Sequence, residues 1–174
     1  MFYEYRHTFW DGILKGWIDR VFACGFAYGV GKYGGKHWGK RYGEGTLNDK
    51  KAMLSLTIGG RKAQFGKRGI NGYIDDLLFP IQHGMFWYAG MSVLPPHILY
   101  QSDRATPEEV AKHTEQLKQR LNDLSRTPPI PYRYQNYGDY DDEQQLKNGS
   151  GQLTNGFSIY FERENKKFHR RKKF

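Results

Sequence analysis

The chain has 174 residues, enough for one domain with a real core, and a formal charge of +9. Its one cysteine, Cys24, excludes a disulfide scaffold and fits a reducing compartment; no apolar run has membrane-spanning length, and Met1-Phe-Tyr-Glu-Tyr-Arg lacks a signal-peptide pattern, so a soluble, cytoplasmic protein is expected. From Glu162 onward the sequence carries +5 of the +9, so the excess is read as a flexible basic tail over 162–174, solvated rather than nucleic-acid-binding.

Asp11 is placed to cap a helix whose apolar positions, Ile13, Leu14, Trp17, Ile18, Val21 and Phe22, form one stripe. Cys24 follows and reads as a small buried apolar residue. After Gly25-Phe-Ala-Tyr28 come glycines at 29, 31, 34, 35, 39, 43 and 45 without apolar periodicity, which predicts a long flexible loop. Residues 52–57 are mostly apolar with no clean alternation, as in a strand covered on both faces of a parallel sheet. A Gly59-Gly60 turn closes it.

Asn71 or Gly72 opens a second helix, with Ile70, Ile74, Leu77, Leu78 and Ile81 inward, and Pro80 is expected to bend or end it. A strand is predicted at 91–94, then Pro95-Pro96, then a short apolar run at 97–100. Thr106-Pro-Glu-Glu109 marks a helix start, with Val110, Leu117, Leu121 and Leu124 as its buried face. Residues 127–131 read as extended, 132–155 as polar and turn-rich, and 156–161 as a last short strand.

The six histidines (7, 37, 83, 97, 113 and 169) show no ligand spacing, and with one cysteine no metal site is expected. No nucleophile elbow, phosphate loop or G-x-G-x-x-G is present. Ligands of open α/β sheets sit beyond the carboxyl ends of the strands, where Thr57, Gly59 and Gly60 would stand. Glycines there let the backbone approach a flat or anionic ligand; an ordinary Gly-Gly turn is the alternative reading.

Ile13-Leu-Lys-Gly-Trp-Ile-Asp-Arg-Val-Phe22, Gly25-Phe-Ala-Tyr28, Lys50-Lys-Ala-Met-Leu-Ser-Leu-Thr57-Ile-Gly-Gly60 and Leu78-Phe-Pro-Ile-Gln-His-Gly84 resemble the NAD(P)H:quinone oxidoreductases, flavodoxin-like flavoproteins related to DT-diaphorase. Tyr88-Ala-Gly90, Val93-Leu-Pro-Pro96 and Gln135-Asn-Tyr-Gly-Asp139 continue the match, which runs from about residue 12 to about 161. The resemblance implies an α/β flavodoxin-like domain over 1–161, a bound flavin (FAD, or FMN), hydride transfer from NADH or NADPH to a quinone, and a homodimer. Carried over by position, Thr57, Ile58, Gly59 and Gly60 would run along the flavin ring. Tyr28 and Tyr88 would wall, across the dimer, the place where nicotinamide and quinone stack. Phe65 and Asn71 stand where the family has a catalytic tyrosine and histidine. Phe65 offers no hydroxyl and Asn71 carries no proton; as structural residues they read as a packing aromatic and a helix N-cap.

The resemblance also implies a departure. In the flavodoxin strand order 2-1-3-4-5, residues 52–57 are the fourth strand and 91–94 the fifth, with strands 1 to 3 and the phosphate-binding loop absent from this sequence. The open edge of the fourth strand would then invite association, unless the N-terminal segment wraps over it. A catalytically inactive fragment or relative that keeps the family core and dimer surface but does not bind flavin is the alternative function.

Overall fold

The structure, a computed structural model, describes residues 2–5, 12–34, 37–148 and 156–162. Asp11 and the basic segment after Glu162 lie outside these. The strands are β1 (Phe2–Tyr5), β2 (Val30–Gly34), β3 (His37–Lys40), β4 (Lys51–Ile58) and β5 (Ser92–Tyr100). The helices are α1 (Gly12–Val21), α2 (Ile74–Ile81) and α3 (Pro107–Asn122).

β1, β4 and β5 form one sheet in that order, and both pairings are parallel. β1 lies along the edge of β4 that the sequence left open, with Phe2 opposite Ser55 and Tyr5 opposite Ile58. The wrapped N-terminal segment is thus the arrangement found, and it fills the third place of the 2-1-3-4-5 order, to which the sequence reading gave no strand.

Along β4 the burial alternates: Leu54, Leu56 and Ile58 are buried, while Met53, Ser55 and Thr57 are half-covered. The expected cover on both faces is present, complete on one face and partial on the other. Successive side chains point to opposite faces. One face joins Leu54 and Leu56 to Leu78 and Ile81 of α2, a continuous apolar cluster. The other face meets α3 through polar contacts, with Arg120 reaching the Met53 sulfur and, at 2.6 Å, the Pro95 carbonyl. His97 of β5 stacks on His113 of α3 at 4.0 Å on the same side.

α3 begins as the sequence predicts, with Thr106 accepting from Glu109 N and Glu109 accepting from Thr106 N. Its apolar face is not buried, however: Val110 is 45% and Leu121 49% exposed. Polar contacts attach this helix, and its apolar stripe is covered only in part, Leu117 and Leu124 being half-buried. Trp17 of α1 is likewise 52% exposed, and Ile18 is a buried member of that stripe.

Four more expectations are corrected. β5 is one strand running through Pro95-Pro96, because a bulge against β4 (Met53 opposite Leu94, Ser55 opposite His97) takes up the residues that cannot donate to the ladder. The glycine-rich segment is an antiparallel hairpin, β2–β3, rather than a loop. Residues Gly156–Tyr160 form a 3-10 turn instead of a strand, although Phe161 then bridges to Tyr132. Cys24 is exposed.

Candidate active site

The carboxyl end of β4 is built by three local features. Ile58 is 2% exposed, so its side chain anchors the strand end in the core. Gln101 N donates to Gly60 O and Ser102 N to Ile58 O at 3.1 Å each, tying the loop after β5 to the turn. A 3-10 turn, Lys62–Phe65, then folds back over it. Gly59 is left exposed.

The two glycines are not equivalent. A Cβ at Gly60 would lie 2.9 Å from both Gln64 Oε1 and Phe65 Cε2, so the chain's own side chains already fill that place. The atoms nearest a Cβ at Gly59 would be those of the Asp103 carboxylate, at 3.5 Å, an ordinary contact. Open backbone for a flat ligand therefore lies at Gly59, and Gly60 serves the close folding of its own turn. Thr57 and Ile58 precede the open position on the strand.

Phe65 is buried at 5%, its ring 5.9 Å from that of Tyr100. Asn71 is exposed, and its N–H donates to Gln64 O at 3.0 Å. Both predicted positions thus come back to the turn that carries Gly60. Asn71 is not a helix N-cap: α2 starts three residues later, behind Tyr73, with no side-chain cap.

A cavity of about 540 Å³ adjoins the ledge through Gln101, with Tyr100, Arg104, Glu109, Lys112 and His113 among its lining residues. Arg104 and Lys112 bring its positive charge, and Arg104 also faces Asp103 at 3.6 Å.

Tyr28 and Tyr88 form a second group, their rings edge-on at 5.2 Å. Tyr28 follows α1. Tyr88 follows the π-helical stretch Gln82–Trp87, into which α2 passes beyond Pro80. Proline costs the helix a hydrogen bond, and the wider turn resumes with Tyr88 N on His83 O and Met91 N on Phe86 O. With Ile18, Phe22 and Met85 the two tyrosines line a hollow of about 270 Å³. Next to Tyr88 the backbone crosses closely: a Cβ on Gly45 would fall 2.2 Å from Ala89 O.

The chain matches the flavodoxin-like fold family over residues 12–122. It belongs to that family. Several of the relatives it matches are named as quinone dehydrogenases. It is 45% identical over 150 residues to the ribosyldihydronicotinamide dehydrogenase-like protein traD of Penicillium crustosum, covering 85% of this chain and 55% of that protein. The human ribosyldihydronicotinamide dehydrogenase [quinone] is 37% identical over 119 residues, 68% of this chain and 48% of that one. A Klebsiella pneumoniae protein assigned as a quinone reductase superposes with a TM-score of 0.88 at 45% identity, over 92% of this chain and 62% of that one. This member of the family therefore spans about half the length of the curated relatives it matches.

Sequence reading missed two features of the described residues. Arg133 and Asp139 form a buried ion pair at 3.1 Å, and His83 lies at 9% exposure among aromatic rings. Each lies within a stretch already matched as Leu78–Gly84 or Gln135–Asp139, or beside it; hydropathy alone gives a buried ion or imidazole no signature. No helix among the described residues is long and apolar enough to cross a membrane.

Proposed function

We propose that this chain carries the ring-facing half of a flavin-dependent NAD(P)H:quinone reductase site. The single observation behind the reading is the exposed Gly59 ledge at the carboxyl end of β4, in a chain several of whose relatives are named as quinone dehydrogenases. A flavin supplies two-electron hydride transfer from a reduced nicotinamide to a quinone. The residues present fit such a ring at Gly59, where a planar group could lie in contact with the backbone.

Thr57, Ile58 and Gly59 would hold the ring through main-chain groups, with Gly60 shaping the turn. Arg104 and Lys112 in the adjoining cavity would meet the phosphates of FAD or FMN. Tyr28 and Tyr88 would wall the stacking place for nicotinamide and quinone on a partner copy's ledge in a homodimer. Exposed Trp17 and Phe26, at 52% and 56%, flank this region and suit such an interface. Phe65 excludes water beside Gly60 and gives no proton; the Asn71 amide offers a hydrogen bond only. Loss of proton transfer there would slow turnover by about 10²–10⁴ without changing the reaction class.

One observation favours a silent relative: Phe65 and Gln64 crowd Gly60, where a ring would otherwise extend. Purification in the presence of FAD or FMN, an absorbance spectrum, and assays of menadione reduction separate the two. The donors are NADH, NADPH and N-ribosyldihydronicotinamide, the last because the relatives' names include it. Flavin uptake with donor-dependent quinone reduction supports the enzyme; a colourless, inert protein supports the silent reading.

A further inference from the structure

A cavity of about 420 Å³ lies beside the Tyr28–Tyr88 pair, joined to it by Tyr42, whose ring meets Tyr88 edge-on at 5.0 Å. Arg41, Tyr42, Phe79, His83, Tyr140 and Tyr160 line it. We propose that this cavity binds a small planar aromatic carboxylate, its ring among these aromatics and its carboxylate on Arg41. The site is separate from the Gly59 ledge and does not rest on the reading given to that ledge.

The cation is held ready. Arg41 Nε donates to Gln135 Oε1 at 3.1 Å, and Gln135 Nε2 donates to Gly39 O at 3.0 Å, so both ends of the amide are committed and the guanidinium is oriented. Its two terminal nitrogens make no hydrogen bond to any described residue. A guanidinium presented in this way matches a carboxylate bidentately, which a lysine would not. No carboxylate stands among the lining residues to neutralise it; Asp139, close in sequence, is already paired with Arg133.

The walls select a flat ring. Phe79 stacks on His83 at 4.5 Å and 12°, and Tyr160 stands 5.4 Å from the same imidazole. Phe79 also stacks on Phe157, at 4.3 Å and 6°, so a ligand ring would meet this stack at its edges. The volume lies within the range of small-molecule sites.

His83 belongs to the same wall, 9% exposed, with its Nε2 buried and without a hydrogen-bond partner among the described residues. Its ring would meet the ligand by packing, while Arg41 takes the carboxylate.

Calorimetric titration of the whole chain with 4-hydroxybenzoate tests this, with neutral 4-hydroxybenzamide as the control. The acid is expected to bind saturably and at least about tenfold more tightly than the amide. Arg41→Gln should weaken it by about tenfold or more, and so should Gln144→Glu, which sets a negative charge at the half-exposed rim. Far-ultraviolet circular dichroism shows whether each variant is folded; should Arg41→Gln unfold the chain, Gln144→Glu decides. In the ¹⁵N-labelled protein the His83 imidazole signals should move on addition of the acid. Equal binding of acid and amide, binding unchanged in the folded variants, or no heat and no His83 shift would overturn the assignment.

Discussion

Asp139→Asn isolates a charge inside the protein. Arg133 and Asp139 meet at 3.1 Å with side chains 5% and 7% exposed. Arg133 also ties the segment around Tyr160 to the body, its Nε donating to Ile159 O and its backbone N to Tyr160 O, each at 2.9 Å. With an effective dielectric of about 20, charges at this separation attract by roughly 5 kcal/mol. The substitution keeps the shape and removes that attraction, leaving the guanidinium desolvated. Urea unfolding followed by circular dichroism should show a loss of about 3–5 kcal/mol. The double variant Arg133→Met/Asp139→Leu removes both charges and should lie much closer to the wild type, because no lone ion remains. If Asp139→Asn costs under about 1 kcal/mol, the magnitude of an exposed pair, the pair is solvated and the reasoning fails. If the double variant is as unstable as the single one, the loss does not come from an uncompensated charge.

Gly45→Ala should cost about 1–3 kcal/mol or more in the same urea assay, since its Cβ would lie 2.2 Å from Ala89 O, a backbone atom with little room to yield. A loss below about 0.5 kcal/mol would show that the crossing next to Tyr88 relaxes. Burial pushes the His83 imidazole down to about 4 from its ordinary 6.5, so it stays neutral in the fold while the unfolded chain takes up a proton. Its contribution is fully present above pH 6.5 and declines as pH falls toward 4, by about 3 kcal/mol in all. Burial also lowers His97 and His113, which add to the same trend. His83→Phe should flatten the pH dependence of stability in that window, measured by urea midpoints from pH 7 to 4; an unchanged slope would contradict the assignment. Thr106→Ala removes the acceptor for Glu109 N and should cost about 0.5–2 kcal/mol, read by thermal unfolding.

Where sequence reading succeeded, a local rule was decisive. The Thr106–Glu109 pattern set the start of α3 because the capping box is satisfied within four residues. The apolar run at 52–57 became β4 because both of its neighbours are parallel strands. Where it failed, a distant partner was decisive. The β2–β3 hairpin is glycine-rich and lacks the apolar alternation by which a strand is recognised, so pairing could not be seen. Val110 and Leu121 look inward by periodicity, yet α3 is attached by Arg120 and His113 and leaves them outside. β5 survives two prolines because the bulge against β4 removes the need for their missing donors.

The candidate site divides the same way. The resemblance placed Thr57, Gly59, Gly60, Phe65 and Asn71 together, and the structure gathers them about one turn. It likewise brings Tyr28 to Tyr88. The different duties of Gly59 and Gly60 were not legible, because the sequence does not say which glycine faces its own side chains. The Arg41–Gln135 contact spans 94 residues and has no local pattern at all.

The most direct measurement is flavin binding to Gly59→Val beside the wild type, by quenching of flavin fluorescence. The atoms nearest the added Cβ would be those of Asp103, at ordinary contact, so the fold should persist while a ring is kept off the strand end. The expected result is saturable binding of FAD or FMN by the wild type and a loss of about tenfold or more in the folded variant. A wild type that binds neither flavin, or a valine variant that binds as tightly, would contradict a ring lying against that backbone.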